Sequence, residues 1–186
     1  MIKYYSIPSP LQKASFGNAV VNCVRSGDTK SLEKLLFQGL SPNPCNEFGD
    51  SLLNMICKRG DEKMFNSLLC CGATIEVIDS FGRTPLHHVC WCKESNFYIV
   101  EKILRADPSM IIAKDSHGLT PLEYVTEEKW SDWVDFLIQK GDTFWPTGSS
   151  FRQYKMDQMK NSVSISDPSG ALSIEDAKRV SSGETI

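Results

Sequence analysis

Two histidines and a cysteine fall within the ten residues GRTPLHHVCW at 82–91, and Cys92 follows directly. His87, His88, Cys90 and Cys92 are residue types that hold zinc, and a thiol near an imidazole is the pair from which a nucleophilic cysteine is made. The spacing argues against both chemistries. Structural zinc needs four ligands about 2.0–2.3 Å from one point, commonly supplied by paired C-x₂₋₄-C elements. Residues 87–92 lie on or just after a single helical stretch, where adjacent side chains point about 100° apart, so His87 and His88 do not chelate together. Thiol catalysis also needs an oriented base, a third group and an oxyanion hole, and no motif supplies them. Neither G-x-x-x-x-G-K-[ST] nor G-x-G-x-x-G occurs, so no phosphate-binding loop is expected. The residues predict no enzyme, no cofactor and no metal site. An intracellular thiol- or metal-responsive protein using Cys90, Cys92 and the nearby histidines is the alternative.

The elements that carry these residues recur. GRTPLHHV starts at Gly82, and GLTPLEYV starts 36 residues later, at Gly118. GDSLLNMI starts 33 residues before Gly82, at Gly49, and GNAVVNCV starts a further 32 before that, at Gly17. A second anchor follows each of these: KLLFQG, SLLCCG, KILRAD and FLIQKG, ending at Gly39, Gly72, Asp107 and Gly141. Paired anchors at about 33 residues mark a stacked repeat. Cys57 and Cys90 then occupy equivalent positions in neighbouring repeats. Helices in such a stack run side by side about 8–10 Å apart, so these two thiols do not converge.

Within one repeat each residue has a geometric reason. Gly82 suits a turn with positive φ. Thr84 is a good N-cap, and Pro85 falls at the first helical position, where its missing N–H costs nothing. Leu86 and Val89 share a helical face. A second helix carries the buried stripe Ile99, Val100, Ile103 and Leu104, and repeat 2 repeats it with Met64, Phe65, Leu68 and Leu69. One such helix pair cannot bury its apolar face alone; stacking makes the core.

A period of 33 with T-P-L-H resembles the ankyrin-repeat family over residues 14–146. HHVCW and EYVTEEKWSDWVDFL resemble a subtype associated with unicellular algae. The resemblance implies an all-α solenoid of about four helix-turn-helix repeats (14–45, 46–78, 79–114, 115–146) with short β-hairpin-like turns. Gly49, Gly82, Thr84, Pro85, Leu86, His87, Gly118, Thr120, Pro121 and Leu122 carry the repeat motif. Repeat 2 has Ser51-Leu52-Leu53-Asn54 in place of T-P-L-H, repeat 4 has Glu123 in place of the histidine, and repeat 3 carries a three-residue insertion. By resemblance, His87 bridges to backbone groups of a neighbouring turn. Trp130, Trp133, Phe136 and Leu137 read as a capping helix.

The resemblance also implies a concave binding face, formed by the hairpin tips and first helices. Its residues here are Phe48, Asp50, Lys58, Arg59, Phe81, Arg83, Trp91, Cys92, His117, Leu119, Glu127 and Glu128. Aromatic rings and Arg dominate interface energetics. The grading from Lys58-Arg59 to Glu127-Glu128 would orient a partner of matching polarity. The reading is a non-catalytic, monomeric protein-binding module.

Composition agrees. The 186 residues are 41% hydrophobic with a net charge of -3, so no basic excess points to nucleic acid or an anionic membrane. No apolar run is long enough to span a bilayer. Seven cysteines without a secretory signal place the chain in a reducing compartment, cytoplasmic or nuclear. Residues 1–13 read as a flexible lead. Residues 147–186 are Ser-rich and read as a disordered tail, with a short helix possible near 171–180. Ser162, Ser164 and Ser166, beside Lys160, are candidates for phosphorylation.

Overall fold

The computed structural model describes residues 7–145 and 167–185. Three hairpin loops set its geometry, and they are built alike. Asn46, Asp79 and Asp115 each stand three residues before a hairpin glycine. The Asn46 side-chain oxygen accepts from the N–H groups of Phe48 (3.0 Å) and Asp50 (2.9 Å). Asp79 accepts from Phe81 and Arg83 (both 2.9 Å), and Asp115 from His117 (2.8 Å) and Leu119 (3.0 Å). Gly49, Gly82 and Gly118 close the loops at φ of 81°, 74° and 78°, in the left-handed region where a Cβ is penalised.

The first two loops each feed a pair of helices, and a further pair precedes them. The inner row is α2 (Asn18–Ser26), α4 (Leu52–Arg59) and α6 (Pro85–Cys90); the outer row is α3 (Thr29–Phe37), α5 (Glu62–Cys70) and α7 (Phe97–Ala106). Side-chain caps fix the starts. Asp28, Ser51, Asp61 and Asn96 accept from the N–H three residues on, at 3.0–3.1 Å. α4 packs on α2 and α6, and α5 on α3 and α7, so the core runs continuously between the rows. Leu32, Leu52, Ile56, Met64, Phe65, Leu68, Leu86, Ile99 and Ile103 are fully buried in it. Each such side chain contributes about 1.5–3 kcal/mol relative to exposure. Among the described residues there is no strand; an isolated antiparallel bridge joins Cys45 and Ser51.

The fourth repeat departs from its expected helix pair. Its inner element is one 3₁₀ turn, Pro121–Tyr124, followed by another at Glu127–Lys129. Val125 and Thr126 between them are extended (ψ of 127° and 151°), in keeping with the stiffness of β-branched residues. The closing helix is α8 (Trp130–Phe144). Trp133, Phe136 and Phe144 are buried on it, whereas Trp130 is exposed. Phe97 stacks on Phe136 with centroids 4.6 Å apart and meets Trp133 edge-on at 5.3 Å. The insertion in repeat 3 is braced from both sides. Asn96 Nδ2 donates to Gly60 O (2.9 Å) and Trp133 Nε1 to Ser95 Oγ (3.0 Å).

Both ends correct the sequence reading. Pro10–Ala14 forms α1 with a Ser9–Gln12 capping box, and Leu11 and Ala14 are buried, so the folded array begins before residue 14. At the C-terminal end the short helix expected near 171–180 is present, and what the sequence reading lacked is its docking on the array. Ile174–Ser182 forms α9, capped by Ser173, which accepts from Asp176 N–H at 3.1 Å. α9 packs on α1 and α2, with Ala177 and Val180 fully buried. Ser181 Oγ donates to Ala14 O (2.8 Å), and Leu172 N–H donates to Gly39 O (3.0 Å). A Cβ on Gly17 would stand 2.3 Å from Ser181 O, so the glycine admits the helix. The buried stripe of α9 is made of small residues, so composition alone read this stretch as lacking a core. Residues 146–166, with Ser162, Ser164 and Ser166, lie outside the described residues.

Candidate partner-binding face

The hairpins point their tip residues away from the core because the Asx side chain at each loop base turns inward. Phe48 is 71% exposed and Phe81 46%, while Phe16, their counterpart in repeat 1, packs partly on the core. His117 and Leu119 are exposed at the next tip. Phe81 stacks on His117 with centroids 6.0 Å apart.

A second group converges on Trp91, which ends α6 and is 45% exposed. Lys58 Nζ lies 4.5 Å from the indole centroid, and the Arg83 guanidinium carbon lies 5.3 Å from it and 4.7 Å from the Phe81 ring. Cations over aromatic faces gain about 0.5–1 kcal/mol at exposed sites. The structure therefore joins Lys58, Phe81, Arg83, Trp91 and His117 into one surface, with Phe48 apart from it. Arg59, exposed beside Lys58, donates to Arg25 O of the preceding repeat (3.1 Å). Glu127 and Glu128 are exposed on the last 3₁₀ turn. Asp50 is half-buried and accepts from Asn46 Nδ2 (2.9 Å).

Cys92 corrects the expected set, being only 7% exposed. Its side chain turns back against Gly60 at the end of α4, and its carbonyl accepts from Lys129 Nζ (2.6 Å). Cys90 is buried in the core, and burial pushes its thiol pKa up, as it does for Cys57 and, to about 11, for Cys45. A reactive or metal-binding thiol requires the opposite shift. Among the described residues no group of three His, Cys, Asp or Glu side chains is placed to hold a metal ion.

Behind the aromatic surface lies a buried polar layer. Thr84 N–H donates to His87 Nδ1 (3.0 Å), so the Nε2–H donates across the repeat boundary to Leu119 O (3.2 Å). Burial lowers the His87 pKa, which favours this neutral form. The imidazole thus ties two turns together. Arg83 Nε donates to Asp79 Oδ2 (2.7 Å), and His88 Nε2 lies 3.2 Å from the same oxygen. The His88 contact is within ion-pair distance but off hydrogen-bond geometry. Burial alone would raise the Asp79 carboxyl, but His88, the Arg83 N–H and the Arg83 side chain outweigh it and hold it down to about 2. Asp115 is held low in the same way: burial opposes, and the Tyr124 hydroxyl and the Leu119 and His117 N–H groups prevail.

Sequence reasoning missed the loop-base residues Asn46, Asp79 and Asp115. Their signal was available as Asn or Asp three residues before each hairpin glycine. It also missed Asn54, which occupies the His87 position in repeat 2 and is 3% exposed, with neither amide atom partnered among the described residues.

The family of ankyrin repeats (three copies) matches residues 20–110 and 57–146. Two relatives from Arabidopsis thaliana are similar over part of the chain. ADP-ribosylation factor GTPase-activating protein AGD4 is 37% identical over 86 residues, 46% of this chain and 11% of that protein. ADP-ribosylation factor GTPase-activating protein AGD2 is 40% identical over 79 residues, 42% of this chain and 10% of that protein. The chain thus matches about a tenth of the length of either relative. The inner and outer helix rows, the three Asx-based hairpins and the His87 tie are the form these matched residues take, and the chain belongs to the ankyrin-repeat family.

Proposed function

We propose that this protein is a non-catalytic interaction module that binds a protein partner through the face formed by the hairpin tips and the inner helices. The observation that carries the reading is the Phe81–Arg83–Trp91–Lys58 cluster. It exposes two aromatic rings and the Lys58 cation, with the mostly buried Arg83 guanidinium against both rings, the composition in which interface energy concentrates. Phe48, His117 and Leu119 extend the contact along the tips, and Glu127 and Glu128 give it an acidic far end. A cytoplasmic or nuclear location, supported by seven free cysteines, goes with this reading, as does a monomeric state. Protein rather than nucleic acid as partner fits the net charge of -3. No helix among the described residues is long and apolar enough to cross a membrane.

The test is affinity capture with the native chain, a Phe48→Ser/Phe81→Ser/Leu119→Ser variant, and a Lys30→Ser/Lys63→Ser control on the outer helices. The substituted positions are exposed, so all three proteins should melt alike. Proteins captured by the native chain and the control should be lost with the tip variant. Capture that survives the tip substitutions refutes the assignment of the face.

A further inference from the structure

A cavity of about 280 Å³ opens on the same face between repeats 1 and 3. Phe16 and Met55 supply apolar wall, Asn54 and His88 lie at its buried side, and Lys58 and Arg83 line it as cations. Asn54 is the unusual member. At the equivalent position His87 reaches the next hairpin carbonyl, and Glu123 closes on its own Thr120 N–H (2.6 Å). The shorter Asn54 makes neither contact, and its Nδ2 and Oδ1 are both buried without a partner among the described residues. A primary amide offers one acceptor and two donors, and a peptide bond offers the complementary pair. Buried polar atoms otherwise find partners within the fold.

The charges specify the rest of the ligand. Lys58 and Arg83 both line the cavity and both approach the Trp91 ring, at 4.5 and 5.3 Å from its centroid. Asp50 is the single carboxylate among the lining residues, and it is engaged by Asn46. Asp79, which pairs with Arg83, has no exposed side-chain surface. A second carboxylate placed between Lys58 and Arg83 would meet charge-assisted donors from both.

Resting on the concave-face reading above, we infer that this cavity takes an extended, acidic segment of the partner protein. Asn54 pairs with the main chain of the segment through both amide atoms. A Glu or Asp side chain of the segment lies between Lys58 and Arg83, over the edge of Trp91. Met55 and Phe16 pack against the neighbouring residue of the segment.

The test uses the full chain and three pools of labelled nine-residue peptides, random except for a central Glu, Gln or Lys, read by fluorescence polarisation. The Glu pool should bind about 10-fold or more tightly than the Gln pool, with the Lys pool weaker still, and the difference should shrink as salt is raised. Lys58→Glu should reverse the order of the Glu and Lys pools. Asn54→Leu should lose about 10-fold in affinity for the Glu pool while melting no lower than the native chain, because it removes two orphaned polar atoms. Asn54→His, which can reach the Arg83 carbonyl as His87 reaches that of Leu119, should also fold and lose binding. It keeps the test decisive if the Leu variant does not fold. Pools that bind equally, or Asn54 variants that bind as the native chain does, overturn the inference. If the pools show no preference while capture is still lost with the tip variant, the acidic segment falls and the concave face stands. If capture survives the tip substitutions, the underlying reading falls independently.

Discussion

Replacing Gly17 by Ala tests whether α9 is an integral part of the array. Gly17 has φ of -111°, which any residue adopts, so the substitution acts through space and not through the backbone. The new methyl would lie 2.3 Å from Ser181 O and 2.4 Å from both Ser181 C and Oγ. Ordinary carbon–oxygen contact needs about 1 Å more, so α9 must move off or be released. Overpacking of this kind costs about 1–3 kcal/mol. Release sets a ceiling: burial of Val180 contributes about 1.5–3 kcal/mol and the Ala177 methyl about 0.8 kcal/mol. The Ser181 hydrogen bond adds about 0.5–1.5 kcal/mol. The smaller figure governs, and for a chain of this length it lowers the melting temperature by about 2–12 °C. Hydrogen exchange locates the effect: the amides of residues 177–184, protected in the native chain, should exchange far faster. Gly141→Ala is the control, since it lies within α8 with nothing within 4 Å of the added methyl, and it should hold or raise stability. Native protection of α9 in Gly17→Ala would refute the close approach on which the reasoning rests.

His87→Ala should cost about 2–3 kcal/mol, measured by urea unfolding, because it deprives the buried Thr84 N–H of its acceptor and cuts the tie to Leu119. A cost below about 0.5 kcal/mol would show that the tie is dispensable. Stability should fall with acid in two steps. His87 has a lowered folded pKa, so its contribution is present above the unfolded value near 6.5 and is lost as pH falls from there through the lower folded value. Asp79, held at about 2 against an ordinary 3.8, contributes on the order of 2 kcal/mol that is present above about pH 4 and lost as pH approaches 2. Urea midpoints measured from pH 7.5 to 2 check both, and flat midpoints between pH 7.5 and 5.5 would contradict the first. With a thiol reagent under native conditions, exposed Cys70 should label first and Cys57, Cys90 and Cys92 last. Labelling of Cys90 as fast as Cys70 would revive a thiol-based function.

The repeat was legible because its signals are local: glycine at a turn, Pro at a first helical position, and apolar residues at helical spacing. Of the stripe Met64, Phe65, Leu68 and Leu69 the first three are buried and Leu69 is partly buried, and Ile99, Val100, Ile103 and Leu104 are all buried as their spacing requires. What escaped depends on contacts between residues far apart in sequence. α9 buries only Ala177, Val180 and Ser181, a stripe too small to announce a core, and its docking depends on a glycine 164 residues upstream. Cys92 was expected on the surface from its place at a helix end, but Gly60 of the preceding repeat leaves room for it to turn inward. Of the candidate face, the tip residues follow from their place beside the hairpin glycine. The grouping around Trp91 does not, because it needs the lengths and directions of three side chains from two repeats. Asn54 was visible as a departure from T-P-L-H, but its missing partners are a fact of distance.

The three hairpins separate what shapes a loop from what a partner would meet. Loop conformation is held by the side chain at the base and by a glycine, so the residue between them can change with little effect on folding. Phe48, Phe81 and His117 already show this: two residue types occupy one geometric position. Exposed substitutions away from such anchors usually alter stability by less than about 0.5 kcal/mol. Specificity at the tips is therefore free to drift or be redesigned one repeat at a time, and a library randomised at these three positions should remain almost entirely folded.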